Sequence, residues 1–510
     1  MVMRLSFQVS ALIAVLSAAA ALATGHLVAG VFDPASSPFL AVGNTFIDLT
    51  PTPLKEFAVR SFGTADKLVL LVGIAVVLIG FALAIGAVSR RRSAPGQVLI
   101  GLLGIVGVIA VGFRPTTSLL SMLAPVVSAF IGVLAFRWLH ARALEQREAE
   151  AETGGASRRT FLRSGLLVAA GAGVAGVGGQ LLSAARDAES SRAAIGRIVP
   201  AVPAPPLPRD VDFHGAGTPT FLTGNSDFYR IDTALSVPQV RAEDWELRIH
   251  GMVDREMRFR FDDIRRRTLI ERPITMTCVS NEVGGPYVST SNFIGVPIRD
   301  LLMEAGVKPG ADQVAQRSAD GWTCGTPTEA LLDEKRGAML AIGMNGEPLP
   351  LEHGFPVRLV VPGLYGYVSA TKWLVDMELT TWNAFDGYWV KRTWGKKGPI
   401  KTESRIDRPR GLETVKTGRF TVAGTSWAQP HGVDKVEVRH NGGEWVAAQL
   451  STEVSGSTWR LWKLDLDLRA GDHRVEVRAT DRTGYTQTEQ RAPVLPDGAT
   501  GWHSIFFSAA

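Results

Sequence analysis

The chain has 510 residues, a formal net charge of +5 and two cysteines, Cys278 and Cys324. That length suggests about three domains. Two cysteines exclude a disulfide-dense scaffold, a CxxC metal motif and a CxxCH haem-attachment site, although they allow one disulfide. The positive charge lies in arginines beside apolar segments, with no basic patch interleaved with aromatic residues, so we predict no nucleic-acid partner.

The first third of the chain is predicted to lie in a membrane. It contains stretches of about the 20 uncharged residues that a bilayer crossing requires. We therefore predict a membrane domain over residues 1–184 with about five transmembrane helices. The predicted spans are Ala11–Phe32, Leu68–Val88, Val98–Phe113, Leu119–Leu139 and Gly165–Leu182.

Arginine clusters set the expected orientation. They follow the second and fourth spans and precede the fifth, and positive loops stay in the cytoplasm. An odd number of crossings from a cytoplasmic N-terminus then places everything after about Ala184 outside the cytoplasm. The clusters are Arg90, Arg91 and Arg92; Arg137, Arg142 and Arg147; and Arg158, Arg159 and Arg163.

The fifth span has a second interpretation. The stretch SRRTFLRSG, Ser157–Gly165, resembles a twin-arginine export signal, which directs the export of folded proteins that have already acquired their cofactor. The alternative is that these arginines only fix topology. Both interpretations place the soluble part outside, and both cleavage and retention of the segment stay open. His26 and His140 are not a facing pair near the midplane, so we predict an anchor without haem b.

The soluble part begins with a Pro-rich linker over residues 185–212, followed by a mixed α+β domain over residues 213–408. Alternating apolar and polar residues predict strands at Trp245–Val253 and Met257–Phe261. Short apolar runs predict two more at Pro356–Gly363 and Lys372–Leu379. A helix is expected after the second strand, with Asp262 near its N-cap.

The most informative stretch runs from Ile274 to Leu302. An apolar strand ends at Cys278, a Gly-Gly-Pro turn follows, and a helix is expected between Pro297 and Gly306. A lone thiol at the end of a strand fits either a metal ligand or a buried structural cysteine.

The last hundred residues, 409–510, show period-two alternation broken by turn signals. Strands at that spacing predict an antiparallel, Ig-like β-sandwich, which we interpret as a packing or dimerisation domain.

Four stretches in order make the region after Thr223 resemble the sulfite oxidase family of molybdenum enzymes. The most specific is the last, MNGEPLPLEHGFPVRLVVPGLYGYVSATKWL. The β-rich tail resembles the dimerisation domain of the same family. The stretches are Ser226–Pro238, Ile274–Leu302, Ser318–Pro327 and Met344–Leu374.

The resemblance implies a Mo-molybdopterin cofactor with Cys278 as the thiolate ligand of the metal. A soft thiolate suits a sulfur-ligated metal. By motif, Arg230 is a further catalytic candidate, and Cys324 is interpreted as a small apolar packing residue. The residues expected to bind the cofactor are Asn225, Ser226, Tyr229, Arg230, Asp320, His353, Arg358, Ala370, Thr371 and Lys372.

One departure from the family pattern concerns the substrate. Sulfite-oxidising members carry an arginine closely after the Cys-x-x-Asn unit, whereas Asn281 is followed here by Glu282 and Val283. A carboxylate there disfavours a dianion. Arg230, Lys391 and Arg392 are the alternative cations.

We therefore expect an oxidoreductase acting on a sulfite-like oxyanion or an S-oxide, in either direction. Because the chain has no counterpart of the family's haem domain, its electrons pass to a separate cytochrome or the quinone pool. A homodimer through the C-terminal domain is also expected. The alternative function is a non-catalytic membrane receptor or scaffold that retains the fold; Cys278, Arg358 and Lys372 at their motif positions argue against it.

Overall fold

The computed structural model describes residues 4–51, 54, 57, 61–62, 66–114, 119–153, 158–185 and 188–510. The chain forms two compact units. One contains the chain before residue 188 together with Thr233–Pro238, and the other contains Ala188–Asp232 and Gln239–Ala510.

The first unit is helical. Five of its described helices are long and apolar enough to cross a membrane, which confirms the five predicted apolar segments. A shorter helix between the first two spans was not predicted. The described helices are α1 Phe7–Phe32, α2 Pro38–Leu49, α3 Asp66–Val88, α4 Ala94–Gly112, α5 Leu123–Thr153 and α6 Arg158–Ala185.

The largest difference from the predicted spans lies in α5. Apolarity ends near Leu139, but the helix continues to Thr153. The added residues include Ala, Leu, Glu, Gln and Arg, which favour the helical backbone without needing an apolar surrounding. The helix is therefore longer than its apolar segment.

Small residues let these helices approach closely. A Cβ placed on Gly86 would lie 2.8 Å from the backbone of Ala11, and one on Gly104 would lie 2.3 Å from the Cβ of Ala129. Small residues at such crossings allow backbone contact where no hydrophobic force drives association.

The second unit is built from β-strands and short helices. Its helices are α7 Ala188–Ile195, α8 Phe261–Arg265, α9 Ile298–Ala305 and α10 Thr328–Leu332. Its strands are β1 Glu246–Gly251, β2 Met257–Arg260, β3 Ile270–Thr277, β4 Val288–Pro297, β5 Gln313–Ser318, β6 Thr323–Pro327, β7 Met339–Met344, β8 Glu347–Pro348, β9 Arg358–Val360, β10 Leu374–Thr380, β11 Glu403–Arg408, β12 Thr414–Val415, β13 Gly418–Trp427, β14 Val433–His440, β15 Trp445–Ala447, β16 Gln449–Leu450, β17 Arg460–Leu468, β18 Gly471–Asp481 and β19 His503–Ala509.

Two sheets form the part of this unit that carries the candidate site. One has the order β2-β1-β10-β5-β6, in which only β1 and β10 pair in parallel. The other has the order β3-β4-β7-β8, with β9 paired to β7. The predicted strands and the helix after Pro297 are confirmed; that helix ends at Gly306, whose φ of 74° suits glycine.

The start of α8 agrees with the prediction that Asp262 lies near the N-cap. The N-cap is Arg260, two residues before Asp262. The backbone N–H of Arg260 donates to Oδ2 of Asp263 at 2.8 Å. A carboxylate three residues into a helix reaches back to the N-cap, whereas Asp262 is one residue too early.

The segment interpreted as a linker contains structure. Its first part is α7, where the Ser191 hydroxyl donates to Glu243 at 2.5 Å. Its Pro-rich part is extended and pairs with the soluble unit, since Val202 N donates to Leu269 O at 3.0 Å and Glu271 N donates to Val202 O at 2.9 Å. The segment therefore packs along this unit.

The C-terminal region forms two further sheets, with the orders β11-β13-β17-β16 and β12-β19-β18-β14-β15. Both contribute to a separate apolar core that includes Val422, Val436 and Val477. The predicted alternation is confirmed, with one correction: β12 pairs in parallel with β19 at the sheet edge, so the strands are not all antiparallel. Strand β11 precedes residue 409 and pairs with β13.

A pair of neighbouring residues on α9 tests the importance of the core. Leu302 is fully buried and Met303 is 56% exposed. We expect Leu302→Ala to lower the free energy of unfolding by about 2–5 kcal/mol, because it leaves a cavity. Met303→Ala, the matched control, should change it by less than about 0.5 kcal/mol. Urea unfolding followed by tryptophan fluorescence measures both; equal effects would contradict this packing.

Candidate functional site

The site begins at the loop that joins β3 to β4. Cys278 follows the last residue of β3, and its backbone N–H donates to Tyr287 O at 3.0 Å across the loop. The Oδ1 of Asn281 accepts from Tyr287 N at 2.8 Å, and Asn281 N donates to Cys278 O at 3.0 Å. These bonds fix the loop, so the thiol has a defined position.

Both cysteines are buried and free, so no disulfide joins them. Burial raises the pKa of the Cys278 thiol. Hydrogen bonds from Ser280 and the positive charge of Lys372 oppose that rise. The thiol therefore needs a cation beside it to ionise, and a bound metal would supply one.

Two cations share one carboxylate next to the loop. Lys372 Nζ donates to Asp232 Oδ2 at 3.1 Å and to Glu352 O at 2.9 Å. Arg230 Nε donates to the same Asp232 oxygen at 2.9 Å. Burial lowers the pKa of Lys372 to about 8, although Asp232 raises it. The cluster therefore keeps an excess of positive charge at neutral pH.

A second cation and a histidine form the adjoining wall. Arg358 Nη1 donates to the backbone oxygen of His353 at 3.1 Å, and the guanidinium lies 5.9 Å from the ring centroid of Phe293. His353 Nε2 lies 3.0 Å from Asn225 O, which only accepts, so Nε2 carries the proton. Burial lowers the pKa of Arg358 to about 10 and that of His353 to about 3. At neutral pH the arginine is charged and the histidine is not.

Three buried polar atoms in this region have no hydrogen-bond partner among the described residues: Asn281 Nδ2, His353 Nδ1 and Arg358 Nε. A buried polar atom left unpaired costs about 1–3 kcal/mol, so native proteins pair nearly all of them. Asn281 Nδ2 and Arg358 Nε are donors, whereas Nδ1 of the neutral His353 is an acceptor. Two free donors beside buried cations fit an anionic group that carries many acceptors, such as a phosphate-bearing pterin.

Other predicted residues lie in several surroundings. The ring centroids of Tyr229 and Phe228 are 5.3 Å apart in a stacked pair, and the backbone N–H of Tyr229 donates to Ser289 Oγ at 3.3 Å. Burial raises the pKa of Tyr229, and the Cys278 thiolate would raise it further. Asn225 Oδ1 accepts from Asn345 at 2.9 Å, while Ser226 is exposed. Tyr229 is therefore close enough to Cys278 to sense its charge.

Asp320 lies in the turn between β5 and β6. Its Oδ1 accepts from Trp322 N at 3.0 Å. The neighbouring Ala319 N donates to Trp373 O at 2.8 Å, which ties this turn to the residue after Lys372. The turn that carries Asp320 is therefore linked to Trp373, next to Lys372, through the backbone of Ala319.

Residues 370–372 place their side chains in different directions. Lys372 joins the cation cluster, and Ala370 is half-buried. The Thr371 hydroxyl donates to Gln316 Oε1 at 2.5 Å and lies 3.3 Å from Cys324 Sγ. Cys324 was interpreted as an apolar packing residue; it is instead part of this buried polar cluster, because polar side chains of β5 and β6 face it.

Several residues at the site were not identified from the sequence. Asp232 lies within the stretch Ser226–Pro238 and could have been found there. Arg405 could not, because it is 120 residues from the loop that it contacts: its Nη1 donates to Gly285 O at 2.8 Å. The same guanidinium donates through Nε to Asp407 at 2.6 Å. His503 packs on the same turn, where a Cβ on Gly284 would lie 2.3 Å from its Nε2.

Comparison with known proteins adds independent information. Residues 234–389 match the family described as "Oxidoreductase molybdopterin binding domain". Mitochondrial sulfite oxidase of Macaca fascicularis is 28% identical over 327 residues, covering 54% of this chain and 59% of that protein. NADH nitrate reductase of Spinacia oleracea is 28% identical over 352 residues, covering 56% of this chain and 37% of that protein. The chain thus spans about three-fifths of the first relative and under two-fifths of the second.

Among solved structures, the sulfane dehydrogenase SoxCD of Paracoccus pantotrophus is similar, with 24% identity and a TM-score of 0.47 over 52% of this chain and 74% of that chain.

The buried lysine predicts a pH effect on stability. Because the pKa of Lys372 falls from 10.5 to about 8 on folding, its charged form opposes folding, and this opposition fades as pH rises through about 8 to 10.5. In cofactor-free protein, Lys372→Met should therefore raise unfolding stability at pH 7 by up to about 3 kcal/mol, with no gain near pH 10.5. Urea midpoints at both pH values measure this. The exposed Lys416→Met is the control; a pH-independent gain would contradict the assignment.

Proposed function

We propose that this chain, which belongs to the sulfite oxidase family of molybdopterin-dependent oxidoreductases, is a membrane-anchored enzyme that moves an oxygen atom or two electrons at a molybdenum bound to Cys278. The observation that carries the proposal is the set of unpartnered buried atoms of Asn281, His353 and Arg358 beside Cys278 and Lys372. Cys278, His353, Arg358 and Lys372 also stand at the motif positions expected to meet the cofactor, whereas Asn281 was not among the predicted residues.

Each residue has a physical role in this proposal. The phosphate and polar edges of the pterin are held by Arg358, Lys372 and the Asn281 amide, with His353 as a neutral hydrogen-bonding group. The Cys278 thiolate ligates the metal, and the charge of Lys372 favours that thiolate over the thiol. The bound molybdenum cofactor supplies the two-electron, oxygen-atom chemistry. Phe228 is buried and stacks on Tyr229, whose pKa responds to the charge of Cys278, so these rings are proposed to limit water beside the thiol.

The substrate is proposed to be a small sulfite-like oxyanion or an S-oxide. Arg230 is the candidate that contacts it, since its side chain is 39% exposed while its Nε is oriented by Asp232. Glu282 stands where sulfite-oxidising members carry an arginine, which disfavours a dianion at that point. This combination favours a monoanionic or neutral sulfur oxide.

The membrane helices are proposed to anchor the enzyme as a multi-pass protein with its soluble unit outside the cytoplasm. The nine arginines around the second, fourth and fifth spans support that orientation through the positive-inside rule. Electrons pass to a separate cytochrome or to the quinone pool. The C-terminal sheets are proposed to form an Ig-like dimerisation domain from about residue 409.

The two cysteines provide a matched test of metal ligation. Cys278→Ser removes the soft thiolate, so turnover should fall below detection and molybdenum should be lost or weakly held, while the unfolding midpoint changes little. Cys324→Ser is the control, because a hydroxyl can keep the contact with Thr371. Metal analysis and steady-state turnover measure the difference. Full activity in the Cys278 variant would refute the ligand assignment.

The broader function is tested on the purified, matured protein. Molybdenum and pterin are quantified, and turnover is assayed with sulfite and an artificial acceptor, and with methionine sulfoxide and other S- and N-oxides and an artificial donor. A matured protein without molybdenum or pterin would contradict the proposal and favour a non-catalytic role. Activity in only one direction would define the reaction.

A further inference from the structure

A short segment of the chain leaves the unit that carries the candidate site and then returns to it. Thr233–Pro238 belongs to the helical first unit, while the residues on either side, Asp232 and Gln239, belong to the second unit. Asp232 is the carboxylate that Lys372 and Arg230 share. The segment therefore begins one peptide bond after a residue of the site, so whatever holds the segment also bears on the site.

An apolar side chain holds this segment on α2. Leu235 is 8% exposed, and its neighbour Ala234 is 5% exposed. A Cβ placed on Gly43, in the middle of α2, would lie 2.8 Å from Cδ2 of Leu235, which is closer than real Cβ atoms come. Glycine at this position therefore lets the leucine approach the backbone of the helix. Leu235 is thus fixed within the first unit by close packing.

The far end of the segment is also fixed. The Oε1 of Gln239 accepts from the backbone N–H of Ala188 at 3.2 Å, at the start of α7. Pro238 restricts its own φ and disfavours helical backbone at Val237 before it. The segment has six residues, and it is held at both ends and at Leu235. It therefore has little freedom to absorb a displacement of its middle.

The arrangement around Asp232 determines what such a displacement would change. Leu235 lies three residues after Asp232, so their Cα atoms are at most about 11 Å apart. The Oδ2 of Asp232 accepts from Lys372 at 3.1 Å and from Arg230 at 2.9 Å. Lys372 also donates to the backbone oxygen of Glu352 at 2.9 Å. A shift of Asp232 would therefore release the guanidinium of Arg230, while Lys372 keeps its bond to Glu352.

The position of α2 in the chain agrees with the proposed topology. This helix lies between the first and second spans. A cytoplasmic N-terminus therefore places it outside the cytoplasm, on the same side as the soluble part. The segment that contains Leu235 can then reach α2 without crossing the bilayer.

We propose that Leu235 is a positioning residue through which the first unit holds Asp232 and so orients Arg230 toward the substrate. This rests on the proposed function, which assigns Arg230 to the substrate. The helix α2 fixes Leu235, the short backbone between them fixes Asp232, and the carboxylate fixes the guanidinium. The membrane helices thus contribute to substrate affinity in addition to anchoring the enzyme.

The test places a side chain at Gly43 in the holoenzyme of the intact chain. Gly43→Leu should displace Leu235, because a Cβ there already comes within 2.8 Å of its Cδ2. With sulfite and ferricyanide, we expect KM to rise about fivefold or more and kcat to change less than about twofold, with unchanged molybdenum and pterin content. Gly73→Leu on α3 is the matched control, since a Cβ there meets nothing within 4 Å among the described residues. It should keep the wild-type KM.

Three further substitutions separate positioning from general damage. Leu235→Met keeps an apolar side chain of similar volume and should retain the wild-type KM, whereas Leu235→Ala should reproduce the rise. In an Asp232→Asn background, Leu235→Ala should have no further effect on KM, because no carboxylate is left to position. Additive effects of the two changes on KM would contradict the proposal.

A second measurement does not depend on turnover. Pairing with a carboxylate favours the protonated guanidinium, which slows its reaction with phenylglyoxal. Modification of Arg230, followed by peptide mass spectrometry, should therefore be about threefold or more faster in Gly43→Leu and Leu235→Ala than in wild type or Gly73→Leu. The side chain of Arg419, which is 83% exposed on the C-terminal sheets, is the internal reference and should react equally in all four proteins.

The outcomes distinguish this proposal from the proposed function. A wild-type KM and a wild-type rate of Arg230 modification in Gly43→Leu and Leu235→Ala, with normal molybdenum content, would overturn the positioning role and leave the proposed function intact. Equal changes in Gly43→Leu and Gly73→Leu would also overturn it, since any disturbance of the membrane helices would then have the same effect. A wild type without molybdenum would instead overturn the proposed function, and the modification rates alone would decide whether Leu235 holds Asp232.

Discussion

The burial of cations with too few counter-charges is the constraint on which the candidate site depends. Lys372 and Arg358 are removed from water, and Lys372 shares the Asp232 carboxylate with Arg230. Buried charge of one sign is unfavourable unless something of the opposite sign completes it. An anionic group bound beside these cations would supply the missing opposite charge. The charge imbalance that lowers the stability of the empty site would therefore favour the binding of an anionic cofactor.

The C-terminal sheets take part in this site more directly than their strand pattern suggests. Arg405 donates to the carbonyl of Gly285 and to Asp407, and the Thr425 hydroxyl donates to the other oxygen of Asp407. The loop that carries Cys278 is thus braced from both sides, by Asn281 within the loop and by β11 from outside. A functional side chain on a loop needs such support, because a displacement of about 1 Å is enough to impair a site. The β-rich tail therefore helps to position the loop that carries Cys278.

Much of this organisation could be predicted from the sequence, and the remainder could not for identifiable reasons. Apolar length predicted the membrane helices, and alternation predicted β1, β2 and the tail strands, because both patterns are local. The order of four motifs predicted the cofactor class. Arg405 was missed because its contact with Gly285 joins residues far apart in the chain, and alternation alone does not say which face of β11 is buried. The surroundings of Cys324 were misjudged because a lone cysteine between small residues suggests apolar packing, while its polar neighbours Gln316 and Thr371 come from other segments.

The contact between Arg405 and Gly285 has a consequence for how the protein can be divided. Fragments that end before β11 would leave the Gly284–Gly285 turn without its guanidinium and without the imidazole of His503. A shortened protein prepared for crystallography or electron microscopy should therefore keep the chain intact from Ala188 to Ala510. The same contact makes exchange of the tail between relatives an unsafe way to build chimaeras, since the donor sequence must bring its own support for the Cys278 loop.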